Sequence, residues 1–233
     1  MILTQPIYLG IHEVTQAEYQ SVMGMGRNPS YFAARGEGNA EVAGMDADRH
    51  PVDSAKWTDA AEFCTKLSQR EQLKPIYFRS GETVTLLDGT GYRLPTEAEW
   101  EFSCLAGAAT KFWFGDTSED LVGIGWFAAS SGHRTHAVGE LRANPFGLFD
   151  IQGNVWEWMQ DGWDATYYSR FQDKPATNPS GPSSAGPQRM IRGGSWGDDA
   201  SLCRASTRYA SFQTTCINYI GFRVSLPVDD VKR

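Results

Sequence analysis

Apolar residues recur at helical spacing in the segment that follows Thr58. Ala60, Phe63, Cys64 and Leu67 fall at positions i, i+3, i+4 and i+7, so they share one face of a helix. The pattern predicts a helix that turns this face inward and buries Cys64.

Two further helices are predicted from their start signals. Thr15 is followed three residues later by Glu18, and Thr96 is followed by Glu99 at the same spacing. In such a capping box the threonine hydroxyl and the glutamate carboxylate each accept a backbone N–H at the helix start. Gly107 is the predicted end of the last helix, because glycine readily adopts the left-handed conformation that closes a helix.

The remaining apolar runs are short and are separated by glycine, proline and asparagine. The 233-residue chain has 24 Gly and 11 Pro, which favours loops and short strands. Residues 2–10 predict a first strand, and segment 174–188 predicts a long surface loop rather than a domain boundary. We therefore expect a single α+β domain over residues 1–233.

Composition narrows the possible partners. The chain is 41% hydrophobic, enough for a packed core, and its 21 basic and 28 acidic side chains give a net charge of −7. A negative charge disfavours nucleic acid as a partner. The longest run without charged and strongly polar residues, 121–129, is far shorter than the ~20 residues that cross a bilayer. We expect no membrane segment and no signal peptide in this chain, while the compartment and the oligomeric state stay open.

Six motif blocks appear in order along the chain. They are residues 8–19 with 28–32, then 50–64, 92–102, 144–158, 192–196 and 220–223. Together they resemble the formylglycine-generating-enzyme-like (sulfatase-modifying-factor) family over about residues 7–225. The resemblance implies an irregular variant of the C-type lectin fold, with long loops and a twisted antiparallel sheet. The resemblance leads us to expect a further block before the first strand, which the given sequence does not include.

The resemblance also implies a calcium loop. In the family, side chains at the positions of Asp150 and Glu157 and backbone carbonyls at Gly153 and Val155 ligate the ion. Calcium takes six to eight hard oxygen ligands, which carboxylates and carbonyls supply. Asn154 is predicted to brace this loop. The alternative is that Asp150 and Glu157 accept backbone N–H groups without any metal.

The catalytic cysteines of the family are expected to be absent. Active members carry two cysteines after Gly-Gly-Ser that bind copper, and thiolates are the ligands Cu(I) prefers. Aligning Arg204 and Arg208 with the family's arginines places no cysteine at either position, so copper is not expected. An alternative is a protein-cysteine oxidoreductase in which Cys203 and Cys216 face each other across a hairpin near Tyr209. Cys64 and Cys104 are predicted core residues.

Ligand binding is the remaining hypothesis. Variable proteins of diversity-generating retroelements share this scaffold class and place their mutable residues between Arg-Gly-Gly-Ser-Trp and Gly-Phe-Arg. Segment 197–219 occupies that position and mixes small polar residues with aromatic rings, which suit adaptable binding surfaces. Ordinary sequence drift is the alternative. The predicted ligand-binding residues are Trp196, Asp198, Asp199, Ser201, Leu202, Arg204, Ser206, Arg208, Tyr209, Ser211, Phe212, Ile217, Asn218 and Tyr219.

Overall fold

Three of the four α-helices that the structure describes lie in the first half of the chain, and the fourth begins at Ser118. The computed structural model describes residues 1–182 and 186–228. The α-helices are α1 Gln16–Met23, α2 Trp57–Arg70, α3 Glu97–Leu105 and α4 Ser118–Leu121. Short 3₁₀ helices cover Ala47–Arg49, Tyr167–Phe171 and Ala200–Leu202.

The helix starts follow the predicted capping chemistry. Both capping boxes, at the starts of α1 and α3, are formed in full. Helix α2 begins at Trp57, one residue before Thr58, and its N-cap Lys56 provides no side-chain hydrogen bond. Helix α3 ends at Leu105, and its C-cap Ala106 adopts a left-handed conformation with φ 47°, so the predicted stop Gly107 lies one residue beyond the cap. Helix α4 has a Thr117 box closed by an aspartate and was not predicted.

The strands are short, as expected from the glycine and proline content. They are β1 Ile7–Leu9, β2 Tyr77–Ser80, β3 Thr83–Leu86, β4 Trp156–Gly162, β5 Gln188–Arg192, β6 Tyr209–Phe212, β7 Ile220–Gly221 and β8 Ser225–Pro227. β1 pairs with β8, β2 forms a hairpin with β3, and the central sheet has the order β6-β5-β4-β7. The β4–β7 pair is parallel, so the sheet is mixed rather than wholly antiparallel. The predicted strand over 2–10 shortens to three residues.

Two hydrophobic clusters lie on the two faces of the central sheet. Trp158 and Ile191 pair across β4 and β5 and belong to the cluster that includes α1 and α2. Met190, one residue along, faces the other cluster, which includes α3. Cys64 and Cys104 are fully buried, one in each cluster, as predicted.

The loop that follows the central strand β4 is attached to the start of the chain. The Ile2 amide donates to the Ala176 carbonyl at 2.8 Å, and the Thr4 amide donates to Asn178 Oδ1 at 2.8 Å. Residues 183–185 of the predicted 174–188 loop lie outside the described residues. Over residues 1–182 and 186–228, no helix is long and apolar enough to cross a bilayer.

Candidate functional site

The segment 150–159 forms a buried base for the site. Every residue from 150 to 159 is buried. Asn154 adopts φ 57°, and its side-chain Oδ1 accepts the His136 amide at 3.0 Å while its carbonyl accepts the Trp196 amide at 2.8 Å. Asn154 therefore ties this segment to two neighbouring loops.

The carboxylate of Asp198 accepts a hydrogen bond from the buried segment 150–159. Trp156 Nε1 donates to Asp198 Oδ2 at 2.8 Å, and Ser195 Oγ donates to the same oxygen at 2.5 Å. Asp198 was predicted to contact ligand, but this oxygen is already used within the protein. Trp156 and Ser195 lie in two of the motif blocks, and the sequence did not single them out as site residues.

Trp196 is a buried ring that packs against the exposed Tyr219. It is 7% exposed, and its Nε1 donates to the Asn218 carbonyl at 2.9 Å. The ring stacks on Tyr219 with a centroid distance of 4.7 Å and an interplanar angle of 12°, and its other neighbour is Phe32 at 5.4 Å. Tyr219 is 37% exposed, so it presents the outer face of this stack to solvent.

Three large side chains of the predicted set are strongly exposed. Tyr209, Phe212 and Ile217 are 57%, 55% and 43% exposed. Tyr209 lies 5.8 Å from the Trp156 ring. Because side chains alternate along a strand, Ser211 shares the face of Tyr209, while Phe212 points to the other side of β6. The predicted residues therefore do not all lie on one face of β6.

The small residues that begin the segment divide by exposure. Asp199, Ser201 and Ser206 are exposed. Leu202 is half-buried against the cluster of α1 and α2, and Arg204 Nε donates to the Ser201 carbonyl at 2.7 Å. The first three are accessible to a ligand, whereas Leu202 packs inward.

Arg208 is part of the scaffold. Its guanidinium donates two hydrogen bonds to Glu97, at 2.7 and 2.9 Å. The same guanidinium lies 5.2 Å from the Trp163 ring centroid and 4.9 Å from that of Tyr168. A bidentate pair held by two rings fixes α3 to the loop after β4, and it occupies the group that was predicted to meet a ligand.

Cys203 and Cys216 do not face each other across a hairpin near Tyr209. Tyr209 begins β6, which pairs with β5, so the hairpin proposed around it does not exist. Cys203 is fully buried, and burial raises the pKa of its thiol. Cys216 is exposed and its Sγ donates to the Ser54 carbonyl at 2.9 Å. Both are free cysteines, so the proposed disulfide is absent from the residues that the structure describes.

The predicted calcium ligands differ in how well they fit a cation. Asp150 Oδ2 accepts the Gly139 amide at 2.7 Å, while its Oδ1 is buried without a partner among the described residues. Glu157 accepts two hydrogen bonds of 2.7 Å from Arg223 and one of 3.0 Å from Trp100 Nε1. Asp150 thus has an oxygen available for a cation, whereas Glu157 is engaged by Arg223. Calcium at Asp150, Gly153, Val155 and Glu157 stays a prediction.

Four cavities of the protein lie away from the 196–219 segment. They have volumes of about 280, 450, 460 and 800 Å³. The largest of the four lies between the first eleven residues and α3, and no residue from 196 to 219 lines any of them. We call the exposed part of residues 196–219 the open face.

Comparisons with known proteins agree with the fold. The Sulfatase-modifying factor enzyme 1-like domain family matches residues 2–227. The structure of "Treponema denticola variable protein 1" superposes with a TM-score of 0.85 and 30% identity, covering 97% of this chain and 86% of that one.

Two relatives of this chain carry names that describe different roles. The formylglycine-generating enzyme of Streptomyces coelicolor is 29% identical over 94% of this chain and 68% of its own length. The chaperone protein LppX of Paenibacillus barcinonensis is 31% identical over 65% of this chain. This chain spans 60% of the Paenibacillus protein. The family therefore includes an enzyme and a protein named for a different role.

Proposed function

Because the chain belongs to the Sulfatase-modifying factor enzyme 1-like domain family, we propose that it uses that scaffold as a non-catalytic ligand-binding module. The open face is the binding surface in this proposal. In this proposal the chain belongs to the class of the variable proteins of diversity-generating retroelements, and its mutable positions lie within residues 197–219.

One observation carries the proposal. Two exposed aromatic side chains of the open face, Tyr209 and Tyr219, lie against buried tryptophan rings whose N–H groups already donate hydrogen bonds. Tyr209 rests near Trp156, and Tyr219 stacks on Trp196. Exposed aromatic rings on a fixed base provide contact area at a small loss of conformational entropy. Such a surface fits a protein partner, and residues 196–219 line none of the four cavities described above.

The likeness to the Treponema protein supports the class of function. That protein is named a variable protein, and the two chains superpose over nearly all of this one. The position of segment 197–219 between Arg-Gly-Gly-Ser-Trp and Gly-Phe-Arg supports the proposal that this chain varies between residues 197 and 219.

The enzymatic alternative lacks the groups its chemistry needs. A copper oxidase of this family uses two thiolates, and a reactive thiolate sits in an exposed, electropositive place. Cys203 is buried, and burial raises its pKa. Cys216 is separate from it, against the carbonyl of Ser54. Both are free cysteines in the part of the chain that the structure describes.

An aldehyde assay tests the absence of catalysis. The protein is incubated with Cu(I), oxygen and a cysteine-containing sulfatase peptide, and the peptide is examined by mass spectrometry. We expect no aldehyde. Aldehyde that disappears in the Cys203→Ala variant would replace the binding proposal with an oxidase.

A display selection tests the capacity of the open face to bind. One library randomises the exposed positions Asp199, Ser201, Ser206, Tyr209 and Tyr219, and a control library randomises five exposed positions between residues 34 and 41. Both are selected against hen lysozyme as a probe. Binders are expected from the first library. Equal success from the control library would show that the open face has no special role.

We also propose that calcium braces the loop beneath the open face. Asp150 and the carbonyls of Gly153 and Val155 belong to the same buried segment as Trp156. When bound, the ion would supply positive charge to hard oxygen donors. A chelator is expected to lower the melting temperature, since a ligand of the native state stabilises it by mass action. An unchanged melting temperature would count against a bound ion.

A further inference from the structure

The first strand, β1, has one paired edge and one free edge. Its pairing with β8 continues one residue past the strand, where the Gly10 amide donates to the Val224 carbonyl at 2.8 Å. Because backbone groups in an antiparallel pair alternate between the two edges of a strand, the N–H and C=O groups of Ile7 and Leu9 point away from β8. Within residues 1–182 and 186–228, no hydrogen bond reaches these four groups across that edge.

The cavity of about 800 Å³ runs along this free edge, and we call it the β1 groove. Side chains from both faces of β1 line it, Ile7 and Leu9 from one face and Tyr8 from the other, whereas no residue of β8 does. A cavity lined in this way lies beside the strand rather than above it. By the same alternation Ile11 faces the groove, and its carbonyl accepts the Phe149 amide at 2.8 Å. The free part of the edge therefore ends at Leu9.

The side chains that line the β1 groove are mostly apolar. Phe102 of α3 is 57% exposed and Phe146 is 52% exposed, and their ring centroids lie 5.7 Å apart. The lining includes two carboxylates, Glu99 and Glu101, and both are paired with arginines. The described lining side chains therefore present exposed rings and no unpaired charge, next to backbone groups that are free to bond.

We propose that the β1 groove binds an extended, uncharged segment of a partner protein, which adds to β1 as a strand and places alternate apolar side chains against Phe102 and Phe146. An added strand bonds to the groups that a free edge leaves open, and its alternate side chains fill the groove beside it. A charged segment would lose its hydration there without gaining a partner charge. A second copy of this chain fits less well, because its matching surface is the same concave groove. The proposal does not rest on the open face, since residues 196–219 line no part of the β1 groove.

Peptide selection on the purified chain tests the proposal. A displayed library of linear peptides of about nine residues, the length of a strand, supplies the probe, and the tightest binder is synthesised. Calorimetry then compares wild type with Phe102→Ala and with the control Phe78→Ala, which removes a ring that is 59% exposed and lies outside the β1 groove. We expect Phe102→Ala to weaken affinity at least about fivefold and the control to leave it unchanged. Phe146→Ala gives the same test if Phe102→Ala does not fold.

N-methylated forms of the same peptide distinguish strand addition from simple apolar contact. Methyl groups on alternate amides block one edge of an extended peptide and leave the other edge intact. We expect one methylated set to bind at least about fivefold more weakly and the other to change by less than about twofold, because only one edge bonds to β1.

Three results would overturn the proposal. They are equal binding by both methylated sets, selected peptides whose affinity Phe102→Ala and Phe146→Ala leave unchanged, and no binding peptide up to millimolar concentration. A dimer in sedimentation experiments that Phe102→Ala abolishes would also overturn it, by assigning the β1 groove to a second copy. Lysozyme binders selected on the open face are expected in every case, so failure here leaves the proposed function standing.

Discussion

The segments 150–159 and 196–219 differ in what their polar groups do. In the first, every residue is buried, and Asn154, Trp156 and Trp158 all donate or accept hydrogen bonds within the protein. In the second, Tyr209 and Phe212 are more than half exposed. Both segments are rich in aromatic and small polar residues, so composition alone does not separate them.

The difference separates a scaffold from a surface. A buried polar group that loses its partner incurs the full desolvation penalty, so nearly every position in the first segment is constrained. An exposed side chain on the open face has water as an alternative partner, and its replacement changes stability little. A segment of the second kind can change its sequence and keep the fold, which is what a variable binding surface requires.

The largest expected effect on stability comes from the buried ion pair between Arg223 and Glu157, a residue of segment 150–159. Arg223→Ala leaves Glu157 charged and without its partner in the core, which should lower the free energy of unfolding by about 3–5 kcal/mol. Guanidinium denaturation measures the change. Arg170→Ala is the control, because Arg170 is 57% exposed in its pair with Asp164 and such pairs contribute about 0–1 kcal/mol. Equal losses in both variants would remove the distinction between buried and exposed regions.

The next effect concerns Asn154. Asn154→Ala removes the acceptor of the His136 amide and places alanine at φ 57°. We expect a loss of about 2–3 kcal/mol, from an unpaired buried group and backbone strain. Asn39→Ala, at an exposed position, should change stability by less than about 0.5 kcal/mol in the same denaturation experiment. A loss below 1 kcal/mol for Asn154→Ala would show that the segment tolerates change.

The pH dependence of stability tests a further buried polar group, His50. His50 is buried against Thr135, and burial lowers its pKa from 6.5 to about 4. The unfolded chain then binds more protons than the folded one between pH 6.5 and 4, so this contribution to stability is present above pH 6.5 and is lost as the pH falls.

The expected size is about 1 kcal/mol between pH 7.5 and 5.5, read from denaturation midpoints. His50→Gln keeps a polar group near Thr135 and should flatten this slope. An unchanged slope would assign the acid sensitivity to other groups.

The smallest effect on stability is expected on the open face. Tyr209→Ala and Phe212→Ala should change the free energy of unfolding by less than about 1 kcal/mol, since both rings are largely in water. Binding should respond more strongly. For lysozyme binders that retain Tyr209, truncating it should weaken affinity by more than about 1 kcal/mol if the ring is a central contact. A large fall in the free energy of unfolding together with an unchanged affinity would reverse the roles assigned to the two regions.

Local chemistry explains which elements could be predicted. The boxes Thr15 with Glu18 and Thr96 with Glu99 act within one turn, so sequence shows them directly. The start of α4 used an aspartate in the same role and was missed. The family resemblance supplied the fold because its motif blocks are spread over the whole chain.

Distant partners explain what could not be predicted. Arg208 was assigned to the ligand site, yet its partner Glu97 lies 111 positions away and holds it in the scaffold. Glu13 is buried, and neither of its carboxylate oxygens has a hydrogen-bond partner among the described residues. The sequence did not show this, because it depends on segments that meet only in the folded protein. Asp198 is in the predicted region, but its bond to Trp156 depends on the folded arrangement of the loop.

Sequencing the gene from many isolates of the host tests the central claim most directly. The amplicon covers codons 150–159 and 197–219 at equal depth, together with the flanking genome. We predict substitutions concentrated at exposed positions such as Asp199, Ser206 and Tyr209, none in codons 150–159, and a nearby reverse-transcriptase gene with an adenine-biased template repeat. Variation spread evenly over both segments, with no such gene nearby, would contradict the account.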